Sequence, residues 1–379
     1  MPQPRTHLSQ PATNPFARLF ADTQRQHRLF SVHWELTHRC PTRCAHCYLD
    51  VLPQGVAAAD ELTTTECVRV LDELADLGAL NLAFSGGEIL VRRDFFEIAA
   101  HARVRRFLLR LFTNGLLVTP TNAPRIAALH PYAVEISVYG ANAATHEQIT
   151  GGAGTFELTV RAFRLLRDCG VRTVLKTPLM RENISEFSAL QELANELGAS
   201  FRFDLTLTPK NSGALTPLAH CLGYADLVRF FRAALDPTHL TERVCQTDEP
   251  ICNIGGNALV IDPRGEVFPC VQTRIVLGNV RAQTLATIWN TSPLWGKLRA
   301  LTFEQLPLCG VCTLKQLCLR CHGLALLEAG SLSAPAPANC VEALARRQVL
   351  IEKKIVSPDY PIPLHLRVLA ANVAGGALV

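Results

Sequence analysis

The 379-residue chain has no apolar run near the ~18 residues a membrane-spanning helix needs, so nothing in it reads as crossing a bilayer. The last apolar stretch, residues 364–379, is short and broken by His365 and Arg367. The N-terminus has no apolar core of a signal peptide, which excludes secretion and predicts a cytoplasmic location. Residues 1–30 do carry Arg5, Arg18, Arg25 and Arg28 against only Asp22, a weak likeness to a transit peptide. A disordered leader is the plainer reading. Charge is scarce too: a net +4 is too little to argue for a nucleic-acid partner. With 18% charged and 48% apolar residues, the composition is that of an ordinary globular enzyme.

What is present in excess is cysteine. Fourteen thiols in a chain that is not secreted point to metal rather than to disulfides. They cluster: Cys40, Cys44 and Cys47 form one compact group, and eight more lie between Cys245 and Cys340.

Between these groups the pattern alternates. Strand signals at residues 29–36, 79–85, 107–113, 133–139, 171–178 and 200–207 are separated by helix signals at 63–77, 94–102, 120–129, 156–169 and 185–197. Thr63 and Glu66 have capping-box spacing at the first of those helices. Strand–helix alternation predicts a parallel sheet with right-handed crossovers, hence the α/β class. Six units are too few for a closed eight-stranded barrel, so the expectation is an open, partial (β/α)6 barrel with its chemistry at the carboxyl ends of the strands. The cysteine loop follows the first strand, on that rim. The expected division is a flexible arm (1–28), the barrel (29–208), a bridging loop and helix (209–240), a cysteine-rich domain with a hairpin over 258–268 (241–345), and a C-terminal helix and tail (346–379).

Three thiolates on a [4Fe–4S] cubane leave one iron open to a ligand that is not protein. Zinc is the alternative for such a loop, but zinc favours a fourth protein ligand and paired spacing. The spacing of Cys40, Cys44 and Cys47 after the first strand resembles the signature of radical S-adenosylmethionine (radical SAM) enzymes. The run Ser85, Gly86, Gly87, Glu88 at the end of the second strand resembles that family's GGE motif, with Ile89 where a proline is usual. The resemblance implies that S-adenosylmethionine binds the open iron and is cleaved by one electron to a 5′-deoxyadenosyl radical. It also implies cofactor contacts from His46 (near the adenine), Gly86, Gly87, Glu88, Asn114 and Ser137. Relatives often carry an arginine where this chain has Thr150. Lys176, set in a strand, either meets a cofactor or substrate carboxylate or pairs with an acid such as Asp204. Asp204, Tyr139 and Lys176 all fall near the rim, and nothing selects a catalytic residue among them.

The C-terminal cysteines resemble the SPASM domain, which carries two auxiliary [4Fe–4S] clusters. By that resemblance Cys245, Cys252, Cys270 and Cys321 would hold the first, and Cys309, Cys312, Cys318 and Cys340 the second. That makes three [4Fe–4S] clusters in all. If Cys245 does not ligate, the first auxiliary cluster has an open iron. Two residues separate Cys318 from Cys321 where the family usually has three. Cys67, Cys169 and Cys221 are left as small apolar residues.

Enzymes of this subgroup mostly modify ribosomally made peptides, so the resemblance implies an oxidative peptide maturase fed by a flavodoxin or ferredoxin-type donor. Many such enzymes recognise a leader peptide with an N-terminal module of which this chain shows none, so a separate leader-binding protein, residues 1–30 or the tail at 357–363 is expected to serve. Tetrapyrrole maturation is an alternative. Sulfatase maturation ranks lower, because Val271 follows Cys270 where those enzymes have an aspartate. A non-catalytic iron–sulfur carrier would need neither the glycine turn nor a three-thiol site.

Overall fold

A computed structural model describes residues 15–56, 58–234 and 250–374. Helix α1 (Pro15–Arg25) precedes strand β1 (Ser31–Thr37), and the two-residue strands β2 (Arg39–Cys40) and β3 (Leu52–Pro53) pair across the cysteine loop. Then follow α2 (Thr64–Asp76), β4 (Asn81–Gly86), α3 (Phe95–Val104), β5 (Leu108–Thr113), α4 (Ala123–Ala128), β6 (Ala133–Ser137), α5 (Ala143–Thr150), α6 (Thr155–Asp168), β7 (Thr173–Pro178), α7 (Phe187–Glu196) and β8 (Ser200–Asp204). The strands β1, β4, β5, β6, β7 and β8 lie side by side in that order and are all parallel. This is the expected open, partial α/β barrel.

Local signals account for the starts of α2 and α5. Thr63 accepts from the Glu66 amide at 3.3 Å while its own amide donates to the Glu66 carboxylate at 2.8 Å, closing the capping box. Helix α5, which periodicity did not predict, starts at the Asn142 side chain and stops at Gly151 in a left-handed conformation. Along β1 the residues alternate. Val32, Trp34 and Leu36 join the main core with Leu71, Leu74 and Phe95 of the surrounding helices, whereas His33 faces Phe112 across the sheet.

The C-terminal half is less separate than its composition suggests. After α8 (Tyr224–Ala234) come β9 (Ala258–Ile261), β10 (Glu266–Phe268) and β11 (Gly278–Asn279). The expected hairpin forms from β9 and β10, but β9 also pairs in parallel with β1, from Ser31 opposite Ala258 to Trp34 opposite Ile261. One nine-stranded sheet results, in the order β11-β10-β9-β1-β4-β5-β6-β7-β8. The edge that β1 would otherwise offer to solvent is thereby covered. Helices α9 (Leu285–Thr291), α10 (Pro293–Arg299), α11 (His322–Ala329), α12 (Pro337–Glu352) and α13 (Arg367–Ala374) complete the chain. The expected boundary at residue 345 falls inside α12, whose Ala345 and Val349 pack on Leu227, Phe230 and Phe231 of α8.

The arm expected to be flexible is helical over Pro15–Arg25, with Phe16 and Phe20 packed edge-on against Phe30 at 5.6 and 5.7 Å. Asn257 secures it. Its side chain, fully buried, donates to Phe20 O at 3.1 Å and Thr23 Oγ1 at 2.8 Å, and its carbonyl accepts from the Phe30 and Ser31 amides. Asn257→Ala is expected to cost about 1–3 kcal/mol, the usual penalty for stranding buried polar partners. Urea unfolding measures the loss, and amide exchange over residues 15–25 should accelerate.

Candidate active site

The cysteine loop leaves β1 on the carboxyl rim and is held from two sides. The Arg43 and Ala45 amides donate to Thr150 O and Ile149 O, the last turn of α5, and the Cys47 amide donates to Cys44 O. Thr150 thus supports the loop's backbone, and its hydroxyl meets Thr155 at 2.9 Å. Within the loop, Thr42 Oγ1 lies 3.3 Å from Cys40 Sγ and 3.6 Å from Cys44 Sγ. Asn114 Nδ2 reaches Cys40 Sγ at 3.7 Å from the end of β5. Burial pushes the Cys44 thiol up to about 11 and the Cys47 thiol up to about 12, each thiol also feeling its neighbours. A bound iron reverses that by replacing the proton.

The glycine turn has a more immediate role than making room for a ligand. A Cβ on Gly86 would stand 2.2 Å from Thr37 O, and one on Gly87 2.3 Å from Arg39 O. Gly86 also sits at φ +125°, in a region that side chains avoid. This close approach lets the Gly87 amide donate to Thr37 O at 2.7 Å and the Glu88 amide to Arg39 O at 2.9 Å. The turn therefore grips the backbone immediately before Cys40. Glu88 is fully buried, and its carboxylate accepts from Thr113 Oγ1, the Asn114 amide and the Leu90 amide. Its side chain braces β4 to β5.

The other predicted residues surround the loop. The His46 ring stands edge-on to Tyr139 at 4.5 Å. Burial holds its imidazole down at about 4, and its Nδ1 is buried with no partner among the described residues. Tyr139 also stacks on His146 at 5.7 Å, and burial pushes its hydroxyl well above the ordinary range. Lys176 pairs in register with Ser137 and Arg202, and its ammonium lies 4.5 Å over the Phe112 ring.

Sequence reasoning missed a carboxylate. Glu35, wholly buried in β1, accepts from Tyr48 OH at 2.8 Å and from Arg274 at 2.5 Å, with His38 Nε2 at 3.3 Å. Burial alone would raise its carboxyl, but the bonds from His38 and Arg274 outweigh that and hold it at about 2. Tyr48 follows Cys47 and Arg274 follows Cys270, so this ion pair links the two cysteine regions. Only residues far apart in sequence make it, so periodicity gave no sign of it.

The C-terminal thiols fall into two groups. Cys252, Cys270 and Cys321 sense one another electrostatically. Cys309, Cys312, Cys318 and Cys340 line one cavity with Arg320, Leu314 and Leu366. Burial pushes Cys252 and Cys340 each up to about 12. Cys245 lies outside the described residues. Cys67 is fully buried and Cys169 packs against the main core, as small apolar residues do, while Cys221 packs beside Leu207 and Met180. Among the described residues no three His, Cys, Asp or Glu side chains close on a point in the way one metal ion requires. Sulfur donors in groups, an unpartnered buried His46 nitrogen and a buried Arg320 beside Cys309 Sγ all fit anionic iron–sulfur clusters with an organic ligand nearby.

A partial parallel barrel with a three-thiol loop on its rim defines the class, and comparison with known proteins agrees. The radical SAM superfamily profile matches residues 34–194, and that of the SPASM iron–sulfur cluster-binding domain matches 252–313. The chain is 32% identical to the PqqA peptide cyclase of Gluconobacter oxydans over 315 residues, 77% of this chain and 86% of that one. It is 29% identical to the AdoMet-dependent heme synthase of Methanosarcina barkeri over 79% of this chain and 93% of that one. It is 27% identical to the mycofactocin maturase MftC of Mycobacterium tuberculosis over 94% and 97%. In fold it is similar to anSMEcpe with bound AdoMet (TM-score 0.65, 17% identity, covering 92% of this chain and 99% of that one). It is likewise similar to Streptococcus suis SuiB bound to precursor peptide SuiA (TM-score 0.61, 14% identity, 88% and 83%). The chain belongs to the radical SAM superfamily and carries a SPASM domain; it is an enzyme of that family.

Two outcomes follow from this geometry. Gly87→Ala forces the Arg39 carbonyl away and should leave the far-ultraviolet circular dichroism intact while reducing bound iron by about four atoms, one cubane. Arg274→Met strands the Glu35 carboxylate and should destabilise the fold by about 3–5 kcal/mol, whereas the Glu35→Gln/Arg274→Met pair should lose much less. Glu35 contributes this stability above the ordinary carboxylate range, and it drains as pH falls toward 2. Urea titrations at several pH values read both effects.

Proposed function

We propose that this enzyme begins its reaction by one-electron cleavage of S-adenosylmethionine and oxidatively modifies a ribosomally made peptide, by crosslinking, oxidation or excision. The observation that carries the reading is the pairing of the Cys40, Cys44 and Cys47 loop with the Gly86–Gly87 turn that fixes it, beside seven described C-terminal thiols in two groups. Cys40, Cys44 and Cys47 would hold the radical-generating cluster. Cys252, Cys270 and Cys321, with Cys245, would hold a first auxiliary cluster, and Cys309, Cys312, Cys318 and Cys340 a second. When bound, the first of these groups supplies the electron and the cofactor the hydrogen-abstracting radical. Around it, Asn114 and Thr42 would temper the charge on Cys40 by their bonds to its sulfur. His46 would present its free nitrogen to the cofactor's adenine, with Tyr139 fixing its ring, and Gly86, Gly87 and Ser137 would line the cofactor's remaining length.

The substrate side is polar. Arg110 bonds the buried Glu135, and Arg202 lies 4.0 Å from the same carboxylate. Charged groups facing the lumen suit a substrate with its own hydrogen-bonding backbone better than an apolar one. Support for a peptide comes from the similarity to a peptide cyclase and to a mycofactocin maturase. A tetrapyrrole is the second reading, carried by the similarity to the heme synthase. Leader recognition by a separate protein and reduction by a flavodoxin or ferredoxin belong to the same proposal.

Anaerobic reconstitution should give about twelve irons per chain, three cubanes, and 5′-deoxyadenosine on addition of S-adenosylmethionine and dithionite. Cys44→Ala should abolish the product. A mass change in a short peptide encoded beside this gene supports the peptide reading. Turnover of a porphyrin precursor with no change in the peptide would sink it.

A further inference from the structure

Arg320 lies in the segment that runs from Cys318 of one thiol group to Cys321 of the other. It is buried, 5% exposed. Its Nε donates to Cys309 Sγ at 3.4 Å, one terminal nitrogen to His322 Nδ1 at 2.6 Å, and the other to Leu332 O and Ala334 O, both at 2.7 Å. None of these partners is a carboxylate. His322 Nδ1 also stands 3.0 Å from Leu332 O, so it accepts from Arg320 in one tautomer and donates to that carbonyl in the other, and in neither does the imidazole bring negative charge. The guanidinium is felt by Cys252 and Cys321 on one side and by Cys340 on the other.

A buried guanidinium cannot shed its proton, and without a counter-anion its burial is costly. Among its described hydrogen-bond partners, the Cys309 sulfur is the one that can carry negative charge. A thiolate-ligated cluster is negative, and each one-electron reduction adds a further negative charge beside this fixed positive one. The N–H···S bond goes to Cys309 alone, so the group of Cys309, Cys312, Cys318 and Cys340 gains both the charge and the bond. The group of Cys252, Cys270 and Cys321 gains the charge only. Charge and hydrogen bonds to sulfur are the levers that set such potentials.

We infer that Arg320 is the shared counter-charge of the two auxiliary clusters and sets a potential difference between them, making the cluster on Cys309, Cys312, Cys318 and Cys340 the easier to reduce. An electron arriving at the group of Cys252, Cys270 and Cys321 is thereby drawn to the other. Arg320 acts through the clusters and is a positioning residue; the inference rests on the cluster assignment proposed above.

The test is a potentiometric titration with dithionite, followed by electron paramagnetic resonance, of reconstituted full-length protein. The parent carries Cys40→Ala, Cys44→Ala and Cys47→Ala, so that only auxiliary clusters titrate. Arg320→Gln should lower the higher of the two potentials by at least about tenfold in the reduction equilibrium, about 59 mV for one electron, and narrow the gap. Arg320→Lys keeps the charge but loses the bond to Cys309, and should shift the same potential by less. Unmoved potentials at full iron content, or an unchanged gap, overturn the inference. Should Arg320→Gln lose iron, Arg320→Lys decides alone, and parent-like potentials overturn the inference. A parent with no auxiliary iron overturns the cluster assignment together with this inference, and iron analysis tells that result from full loading with unmoved potentials.

Discussion

The backbone contact between Gly86–Gly87 and Thr37–Arg39 is the constraint on which the site depends. Two parallel strands end side by side, and their next residues come closer than any side chain would allow. The amides of Gly87 and Glu88 then bond the carbonyls of Thr37 and Arg39, and the chain turns into the cysteine loop already oriented. Glu88 passes the same restraint on to Thr113 and Asn114, whose side chain reaches Cys40. From the other side, the end of α5 holds Arg43 and Ala45. A loop gripped by three elements before any cluster enters is preorganised, which matters where one metal corner must stay open to an exchangeable ligand.

The lumen is polar where a closed barrel would be filled by branched apolar side chains. The chain sets there paired charges that neutralise one another, Arg110 with Glu135 and Arg274 with Glu35. The bonds from Arg274 and His38 keep the Glu35 carboxyl well below its ordinary range despite its burial, and a paired guanidinium is the arrangement under which a buried ion is tolerable. The Glu35–Arg274 pair also crosses from the first strand to the loop after Cys270. A shift of either cysteine region relative to the other would break it.

The shared sheet gives this coupling a rigid frame. Because β9 pairs with β1 residue for residue, the C-terminal hairpin extends the sheet from the strand that leads into the cysteine loop. Helix α12 closes the other end: it carries Cys340 and packs by Ala345 and Val349 on α8, which follows the last barrel strand.

Much of this was legible in the sequence because it is local. Strand–helix alternation, the Thr63–Glu66 cap, the loop of Cys40, Cys44 and Cys47 and the adjoining glycines are set by residues a few positions apart. Periodicity, capping and ligand spacing all operate at that range. The eight-residue helix α5 was too short to show a period, and α1 gains its stability from Phe30 and Asn257, which lie outside it. The sequence by itself determined the partial barrel, the three-thiol loop and the existence of a second thiol region. The tertiary structure decided the rest: that β9 seals the edge of β1, that Glu35 and Arg274 meet, and that Arg320 stands between two groups of sulfur. Those contacts join residues up to more than two hundred positions apart. Their energy comes from burying charge and pairing strand edges, and no local pattern in a chain records which distant partner will do so.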